Sequence, residues 1–587
     1  MENEVMRSHM MKFSLEDLKS FLGEDLVESL LEWNTGSEAL LTKKRLVDMI
    51  MCIYGVNILK SKEFRHHILS TFQKEDILDF RVELPEKYRT CEDPELIIDV
   101  VAKKNWRESQ INNHVLHLLN YSEKDIFQEQ SVEEVSSEKI ASYDKFYELL
   151  DYQYIIRQRA LNILTSEYKQ RRFLIHMPTG TGKTKTATHI ICHHYNYNLK
   201  KRGLIVWIAH TTELLQQAYD TFVNVWKNIG NGEISTYKLW GEHNIEAIPE
   251  DMSGFMVCGI QKLQSMKESQ SDKFQKLVNA TRLVVYDEAH KAAAQETRNV
   301  IEHFMCRTGE MKDCALMGLS ATPGRTTEMS FENDLLASTF GNKIISIDTK
   351  VMNEVNLSRQ EALNAEVEKD IIRYFQNRGV LAKIKKKELT YAEKLTDEEL
   401  SKIKVIATKN GYSDFSPAAL NVIGKNKSRN LRIMQELRAL NQSQTPTIVF
   451  ACSVKHGQLL SSMLTLEDIP NALVIGEMST TERREAIQKF KDTKNDMNIL
   501  INYEVLTTGF DATNIECVFI ARPTQSVVLY SQMLGRGLRG PQMGGKKECL
   551  LIDVKDNLNQ FNENMAFSHF NNYWNAEEDK LWQKTYL

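Results

Sequence analysis

One short segment constrains this chain more than any other: Met177-Pro178-Thr179-Gly180-Thr181-Gly182-Lys183-Thr184. It follows the apolar run Phe173-Leu174-Ile175 and precedes a helical pattern, so a strand turns tightly into a helix. Gly180 and Gly182 let backbone N–H groups approach an anion with no side chain in between. The positive end of the helix dipole lies at the same point. Lys183 is placed to reach β- and γ-phosphates, and the Thr184 hydroxyl to ligate Mg²⁺. Met177 stands where the general pattern has glycine. A strand–loop–helix unit of this kind belongs to a parallel sheet with crossover helices.

About a hundred residues on, the buried-strand run Leu283-Val284-Val285-Tyr286 ends in Asp287-Glu288-Ala289-His290. Ligands of open α/β folds bind at the carboxyl ends of strands. Asp287 is expected to hold Mg²⁺, and Glu288 to orient and deprotonate an attacking water. Loop and acidic pair together point to ATP and Mg²⁺ as ligands.

The remaining chain is organised around these motifs. At 587 residues it is too long for one core, and three or four domains are expected. Residues 1–142 read as a helical N-terminal domain, with Leu18, Phe21, Leu22, Leu26, Leu30 and Leu31 on one helical face and an acidic, Ser-rich linker at 128–138. Strand–helix alternation fills 143–349 and again 426–572. A charged bridging segment, 350–425, carries a basic cluster at Lys383, Lys385, Lys386 and Lys387, and 573–587 forms a tail. The expected fold class is α/β: two tandem RecA-like parallel-sheet lobes with a mainly helical N-terminal domain.

Composition excludes several classes. No apolar run approaches a membrane span, and residues 1–12 lack the apolar core of a secretion signal. Nine cysteines without a CxxC pair suggest neither a zinc site nor a disulfide framework, so a reducing, cytoplasmic setting is expected. A net charge of −5 argues against binding nucleic acid by bulk electrostatics and leaves room for a local groove. His66-His67 and His193-His194 lack ligand spacing and are expected to be structural. Asp99 with Lys103 does not complete a nuclease core, and the N-terminal region is expected to be an adaptor.

The order of motifs resembles a superfamily 2 helicase of the DEAH-box type over residues 152–557. Ile208-Ala209-His210-Thr211-Thr212-Glu213-Leu214 resembles motif Ia, Ser320-Ala321-Thr322-Pro323 motif III, and Thr447 to Cys452 motif IV. Leu506-Thr507-Thr508-Gly509-Phe510-Asp511 resembles motif V, and Gln532-Met533-Leu534-Gly535-Arg536-Gly537-Leu538-Arg539 motif VI. The chain is most similar to the bacterial branch that holds Rad25/XPB-like helicases and the motor subunits of type I and type III restriction enzymes.

The resemblance implies roles. Thr179, Gly180, Thr181, Gly182, Lys183, Thr184, Gly509, Asp511 and Gln532 would bind ATP. Arg536 and Arg539, three apart and sharing a face if helical, would act as arginine fingers from the second lobe. His290, Ser320 and Thr322 would couple nucleotide state to the nucleic-acid groove. An adenine-recognition glutamine is expected before the loop. Gln153 and Gln158 are both available, and Gln158 is preferred because Arg157 and Ala160 flank it as in the family. Thr211, Gln261, Ser453 and Thr508 would contact a nucleic-acid strand through phosphates, which position without reading sequence. Gly259-Ile260-Gln261 lacks the threonine the family usually carries there.

The expected function is an ATP-dependent helicase or translocase, on DNA rather than RNA, in anti-phage defence or DNA restriction and repair, with a separately encoded protein such as a nuclease as the expected partner. The alternative is an ATP-gated nucleic-acid clamp that recruits an effector without unwinding.

Overall fold

The structure, a computed structural model, describes residues 4–33, 38–106, 110–121, 136–143, 147–166, 171–241, 243–307, 310–311, 314–322, 331–347, 371–391, 405–407, 413–478, 480–492, 494–507, 513–524, 526–554 and 575–576. The first lobe is built on β1 (Ser137–Ile140), β2 (Arg172–His176), β3 (Leu204–Ala209), β4 (Ile234–Leu239), β5 (Gly254–Gly259), β6 (Thr281–Asp287), β7 (Ala315–Ser320) and β8 (Lys343–Ser346). They lie in the order β1-β4-β5-β3-β6-β7-β2-β8, and Asn575–Ala576 adds a short parallel pairing beside β8. Only β1 runs antiparallel to its neighbour. The central strands β3, β5 and β7 are buried along their whole length, as parallel strands covered on both faces must be.

This order sets the site. Strands β6, β7 and β2 are adjacent, and Asp287, Ser320 and His176 end them at one edge. Residues 33 to 144 positions apart in sequence therefore meet.

The second lobe comprises β9 (Lys383–Leu389), β10 (Thr447–Phe450), β11 (Asn471–Val474), β12 (Ile499–Asn502), β13 (Cys517–Ile520) and β14 (Glu548–Val554), all parallel, in the order β9-β14-β13-β10-β12-β11. The expected basic cluster is thus a strand at the sheet edge. Lys385 pairs with Glu548 at 2.6 Å and Lys387 with Glu436. Lysines on an edge strand oppose edge-to-edge pairing with another chain.

The described parts of the bridging segment belong to both lobes. Phe375, on helix Ile371–Asn377, packs edge-on against Tyr152 of the first lobe, with ring centroids 4.9 Å apart. Asp414 anchors a second piece to the second lobe, accepting from Arg522 at 2.9 Å and Thr524 at 3.0 Å, fully buried.

The N-terminal region is helical as expected. Ser14 and Asp17 form a capping box before helix Leu15–Leu22, and Asp93 caps Pro94–Lys103 with proline in the first turn. Buried Arg65 closes two C-terminal ends at once, donating to Leu59 O, Lys60 O, Ala102 O and Lys104 O at 2.6–3.1 Å. Its apolar face is continuous with the second lobe: Leu30, Leu46 and Ile50 share one core with Leu460, Met463 and Leu473. Lys455 to Asp25 (2.9 Å) and Arg45 to Asp468 (2.8 Å) rim that contact. Asp99 pairs with Lys103 and His66, each at 3.2 Å, which accounts for that acid and that histidine without a metal. Among the described residues no cluster of three or more metal-ligating side chains occurs, and no helix is long and apolar enough to cross a membrane.

Candidate active site

The loop after β2 closes onto helix Lys183–His193, with Gly182 as its cap. Gly180 (φ 87°) and Gly182 (φ 79°) take left-handed conformations that side chains resist. A Cβ on Gly182 would lie 2.3 Å from Gln153 Nε2 and 3.0 Å from Met543 Cε. The loop is braced from behind: Tyr152 Oη and Gln153 Nε2 both donate to Thr181 O, at 2.8 and 2.9 Å, and Thr181 Oγ1 donates to Pro178 O at 2.8 Å. Gln153 Oε1 in turn accepts from Leu150 N at 2.9 Å.

The structure sets Gln153, rather than the expected Gln158, beside the loop. Gln158 points to the outer side of helix Asp151–Thr165, donating to Tyr154 Oη at 2.8 Å, whereas Gln153 is buried against the loop. The signal was present in the sequence. Gln153 falls on the stripe of Tyr152, Ile156, Ala160 and Ile163 that the helix buries, and Gln158 falls off it.

The acidic pair faces the loop. Lys183 Nζ is 4.0 Å from Glu288 Oε1, and both side chains are nearly buried. Glu288 is held in a left-handed conformation (φ 50°, ψ 54°), a strained state for a side-chain-bearing residue, which swings its carboxylate off the strand line. Burial raises the Asp287 carboxyl to about 6, with Lys183 pulling the other way. Burial also acts to raise Glu288, but Lys183, His290, Lys291 and Arg536 outweigh it and hold that carboxyl below its ordinary range. The two carboxyls therefore differ in acidity, Asp287 being the weaker acid; the cation that Asp287 is expected to hold would favour its ionised form.

The three coupling residues form one chain. His290 Nδ1 lies 3.3 Å from Glu288 Oε2 and 3.5 Å from Ser320 Oγ. Ser320 Oγ donates to Thr322 O at 2.6 Å and accepts from Thr322 N at 3.1 Å. Since the hydroxyl proton goes to Thr322, Ser320 must accept from His290, which places a proton on Nδ1. Behind them, fully buried His176 meets Ala321 O through Nε2 (3.1 Å) and Ser346 Oγ through Nδ1 (3.2 Å), and burial pushes its pKa down to about 3.

The second lobe supplies the opposite wall. Ser526 caps helix Val527–Leu534, which ends before the arginines. Arg536 and Arg539 therefore do not share a helical face. Arg536 sits in the turn after the helix, with Nε donating to Gln532 O at 3.3 Å, and Arg539 lies in an antiparallel bridge to Leu381. The glycines of this stretch end the helix and allow the backbone to press on the first lobe. A Cβ on Gly535 would be 2.4 Å from Thr179 Cγ2, and one on Gly180 would be 3.6 Å from Arg539 Cγ. Arg536 is close enough to Glu288 for each to shift the other's ionisation, and burial lowers the guanidinium to about 10, so it remains a cation at neutral pH. Thr508, Gly509 and Asp511 lie outside the described residues.

Of the expected strand contacts, Thr211 caps helix Thr212–Ile229, accepting from Leu214 N, and exposed Gln261 donates to His210 O at 3.5 Å. Tyr286, one residue before the acidic pair, bonds His210 Nε2 at 2.6 Å and ties motif Ia to the site, a link the sequence reading missed. Ser453 caps Val454–Leu466 in the other lobe, accepting from His456 N at 3.2 Å. Both hydroxyls accept cap bonds and keep an O–H to donate, at the N-terminus of a helix in each lobe.

The residues present fit Mg²⁺–ATP: a glycine cradle that tolerates no Cβ, a lysine, a hydroxyl and two carboxylates of unequal basicity. Fold and site define a P-loop nucleotide-binding protein with tandem RecA-like lobes. Residues 146–325 match the "Type III restriction enzyme, res subunit" family and residues 429–540 the "Helicase conserved C-terminal domain" family. A Saccharomyces cerevisiae protein named as an ATP-dependent helicase, IRC3, is 26% identical over 415 residues, covering 69% of this chain and 51% of that protein. A Schizosaccharomyces pombe protein named as a mitochondrial ATP-dependent helicase, irc3, is 24% identical over 66% of this chain and 54% of its own. The type I restriction enzyme EcoAI endonuclease subunit of Escherichia coli is 22% identical over 66% of this chain and 44% of that subunit. The chain spans about half the length of these relatives. It thus carries, in tandem, a domain similar to the restriction-enzyme res subunit and one similar to the conserved C-terminal domain of helicases.

Proposed function

We propose that the chain hydrolyses ATP between its two lobes and uses the cycle to translocate along or unwind nucleic acid, with DNA as the track, in restriction, repair or defence against phage. The observation that carries this reading is the seating of the motif VI backbone on the phosphate loop, with Arg536 beside Glu288. The relationship to a restriction endonuclease subunit supports a separately encoded nuclease as partner.

In this reading the loop amides from Gly180 to Lys183 and the Lys183 ammonium bind the β- and γ-phosphates. Thr184 and Asp287 would hold Mg²⁺, which would supply positive charge to offset that of the phosphate oxygens. Glu288, kept ionised by its cationic neighbours, orients a water and takes its proton as the water attacks the γ-phosphorus. The bond from that phosphorus to the β–γ bridging oxygen breaks, leaving ADP and phosphate. Arg536 and Arg539 stabilise the equatorial oxygens during transfer, a contribution of roughly 10³–10⁵ in rate for such arginines. The chain from Glu288 through His290 to Ser320 and Thr322 relays occupancy of the γ-phosphate position to the groove.

The test is ATPase with single-stranded DNA, duplex DNA and RNA, run beside strand displacement. Lys183→Ala should weaken nucleotide binding, and Glu288→Gln should bind ATP and not turn it over. Near-normal turnover in Glu288→Gln would remove the assigned base. Stimulated ATPase with neither displacement nor movement would favour the ATP-gated clamp.

A further inference from the structure

Helix Thr480–Lys491 of the second lobe touches four parts of the molecule that the proposed cycle must keep in step. Near its start, both Glu482 oxygens are taken by the N-terminal domain: Oε1 accepts from Val56 N at 2.8 Å and Oε2 from Asn57 Nδ2 at 2.9 Å. Gly55 lies so close to that carboxylate that a Cβ there has no room. The next residue, Arg483, reaches the other way and pairs with Glu213 of the first lobe, while its Nη2 donates to Gly476 O at 3.4 Å. Glu213 stands in the first turn of the helix that Thr211 caps, within the motif Ia stretch. At the far end, Phe490 O accepts from Asn514 Nδ2 at 2.8 Å, just beyond motif V, and Phe490 itself is buried. Lys491 lies beside Arg539, whose charge acts with burial to lower the lysine's pKa.

Twelve residues make a rod of about 18 Å. A rod gripped at one end by a neighbouring domain and fixed at the other, through buried Phe490 and Asn514, next to motif V transmits orientation. We propose that Glu482 and Arg483 are positioning residues of the interlobe site: the docked N-terminal domain, through Glu482, fixes the helix whose Arg483 latches the first lobe, and so favours the closed arrangement. The inference rests on hydrolysis at the lobe interface as read above. It gives the N-terminal domain a task that needs no chemistry of its own. The latch discriminates between states because the Arg483–Glu213 pair joins different lobes and is lost when they part, whereas the Glu482 contacts lie on the second-lobe side and persist. Only such differential contacts shift an equilibrium.

The experiment uses the full chain and compares Arg483→Glu, Glu213→Arg, the double reversal, Glu482→Ala, Glu482→Gln and Arg483→Ala. Two readouts are taken: the ATP dependence of turnover, and the radius of gyration by small-angle scattering with a non-hydrolysable ATP analogue. Each single reversal should raise KM for ATP about five- to tenfold, change kcat less than about twofold, and enlarge the particle at subsaturating analogue. The double reversal should return both readouts to within about twofold of the parent. Glu482→Ala should raise KM about threefold and add nothing to Arg483→Ala, since both act through one helix. Glu482→Gln, which keeps the acceptor for Val56 N, should stay near the parent. Thermal melts confirm that each variant is folded. A double reversal that restores neither readout overturns the latch. Glu482→Ala behaving as the parent, or adding fully to Arg483→Ala, overturns the relay. If the parent shows no ATPase at all, the proposed function fails instead, and the scattering comparison still decides the latch.

Discussion

Replacing Gly535 with alanine adds one methyl at the seam between the lobes. The residue has φ −57° and ψ −17°, a conformation alanine adopts freely, so the backbone bears no cost. A glycine-to-alanine change at such a position stabilises a fold by about 0.4–1 kcal/mol through the unfolded state. Within the second lobe the new Cβ meets Ser531 O at 3.0 Å, a tight contact that offsets this gain, so that lobe alone should be about as stable as before. The cost falls on closure. The new Cβ would lie 2.4 Å from Thr179 Cγ2 and 2.6 Å from Thr179 Cβ, where carbons ordinarily approach to about 3.5–4.0 Å. An overlap of more than about 1 Å is relieved only by moving Thr179 or parting the lobes, and overpacking of this kind costs about 1–3 kcal/mol. That is a loss of roughly 5- to 150-fold in the closed population. ATPase at subsaturating ATP should fall by about fivefold or more through a raised KM, as expected for any change that disfavours closure, while the melting temperature stays close to the parent's. Thr179→Ser, which removes Cγ2 and keeps the hydroxyl, should recover part of the loss. Turnover in Gly535→Ala at subsaturating ATP within about twofold of the parent would refute the reasoning, because the seam described here would then not be the hydrolytic arrangement.

Three further outcomes follow from the site and its surroundings. Gln153→Ala strips one donor from Thr181 O and leaves Leu150 N without its acceptor, so nucleotide affinity measured by titration should weaken by about 1–3 kcal/mol, whereas Gln158→Ala should leave it unchanged. His176 and His456 are buried and partnered through both ring nitrogens, with pKa pushed by burial from 6.5 to about 3. The unfolded chain therefore binds protons below about pH 6.5 that the folded chain refuses until about pH 3, and stability should fall as pH drops, by about 1.4 kcal/mol per pH unit for each ring. Urea midpoints between pH 7 and 5 should show it, and His456→Gln should flatten the slope by one such contribution. Deleting residues 4–121 should lower the melting temperature and cause aggregation, since it bares Leu460, Met463 and Leu473; a shortened chain that stays monomeric and melts like the parent would show that the shared core contributes little.

What was legible in the sequence was whatever is local. The loop from Met177 to Thr184, the acids at Asp287 and Glu288 and the alternation of strand and helix are each carried by neighbours in the chain, and the two sheets assemble as that alternation implies. The misreadings share a different cause. Arg536 and Arg539 share a helical face only if the helix continues, and Gly535 and Gly537 end it. The basic cluster at Lys383, Lys385, Lys386 and Lys387 proves to be a strand at a sheet edge, with Glu548 and Glu436 brought from elsewhere to Lys385 and Lys387. The acidic linker and periodicity change near residue 143 suggest an N-terminal domain standing by itself, yet its apolar face is completed by helices more than 370 residues later. Pairings at that separation leave no mark in local pattern.

That separation also has a meaning in time. Val56 meets Glu482 across 426 positions and Asp25 meets Lys455 across 430. Synthesis at about 5–20 residues per second leaves the N-terminal helices waiting roughly 20–90 s on the ribosome before their partner surface emerges. For that interval Leu30, Leu46 and Ile50 have no second-lobe core to enter. The nascent chain is thus a natural client for a holding chaperone. The first lobe, whose strands lie within about 210 residues of one another, can be complete while the N-terminal helices still wait. For these helices the order of synthesis and the order of docking are opposed: made before the second lobe, they can find their seat only after it.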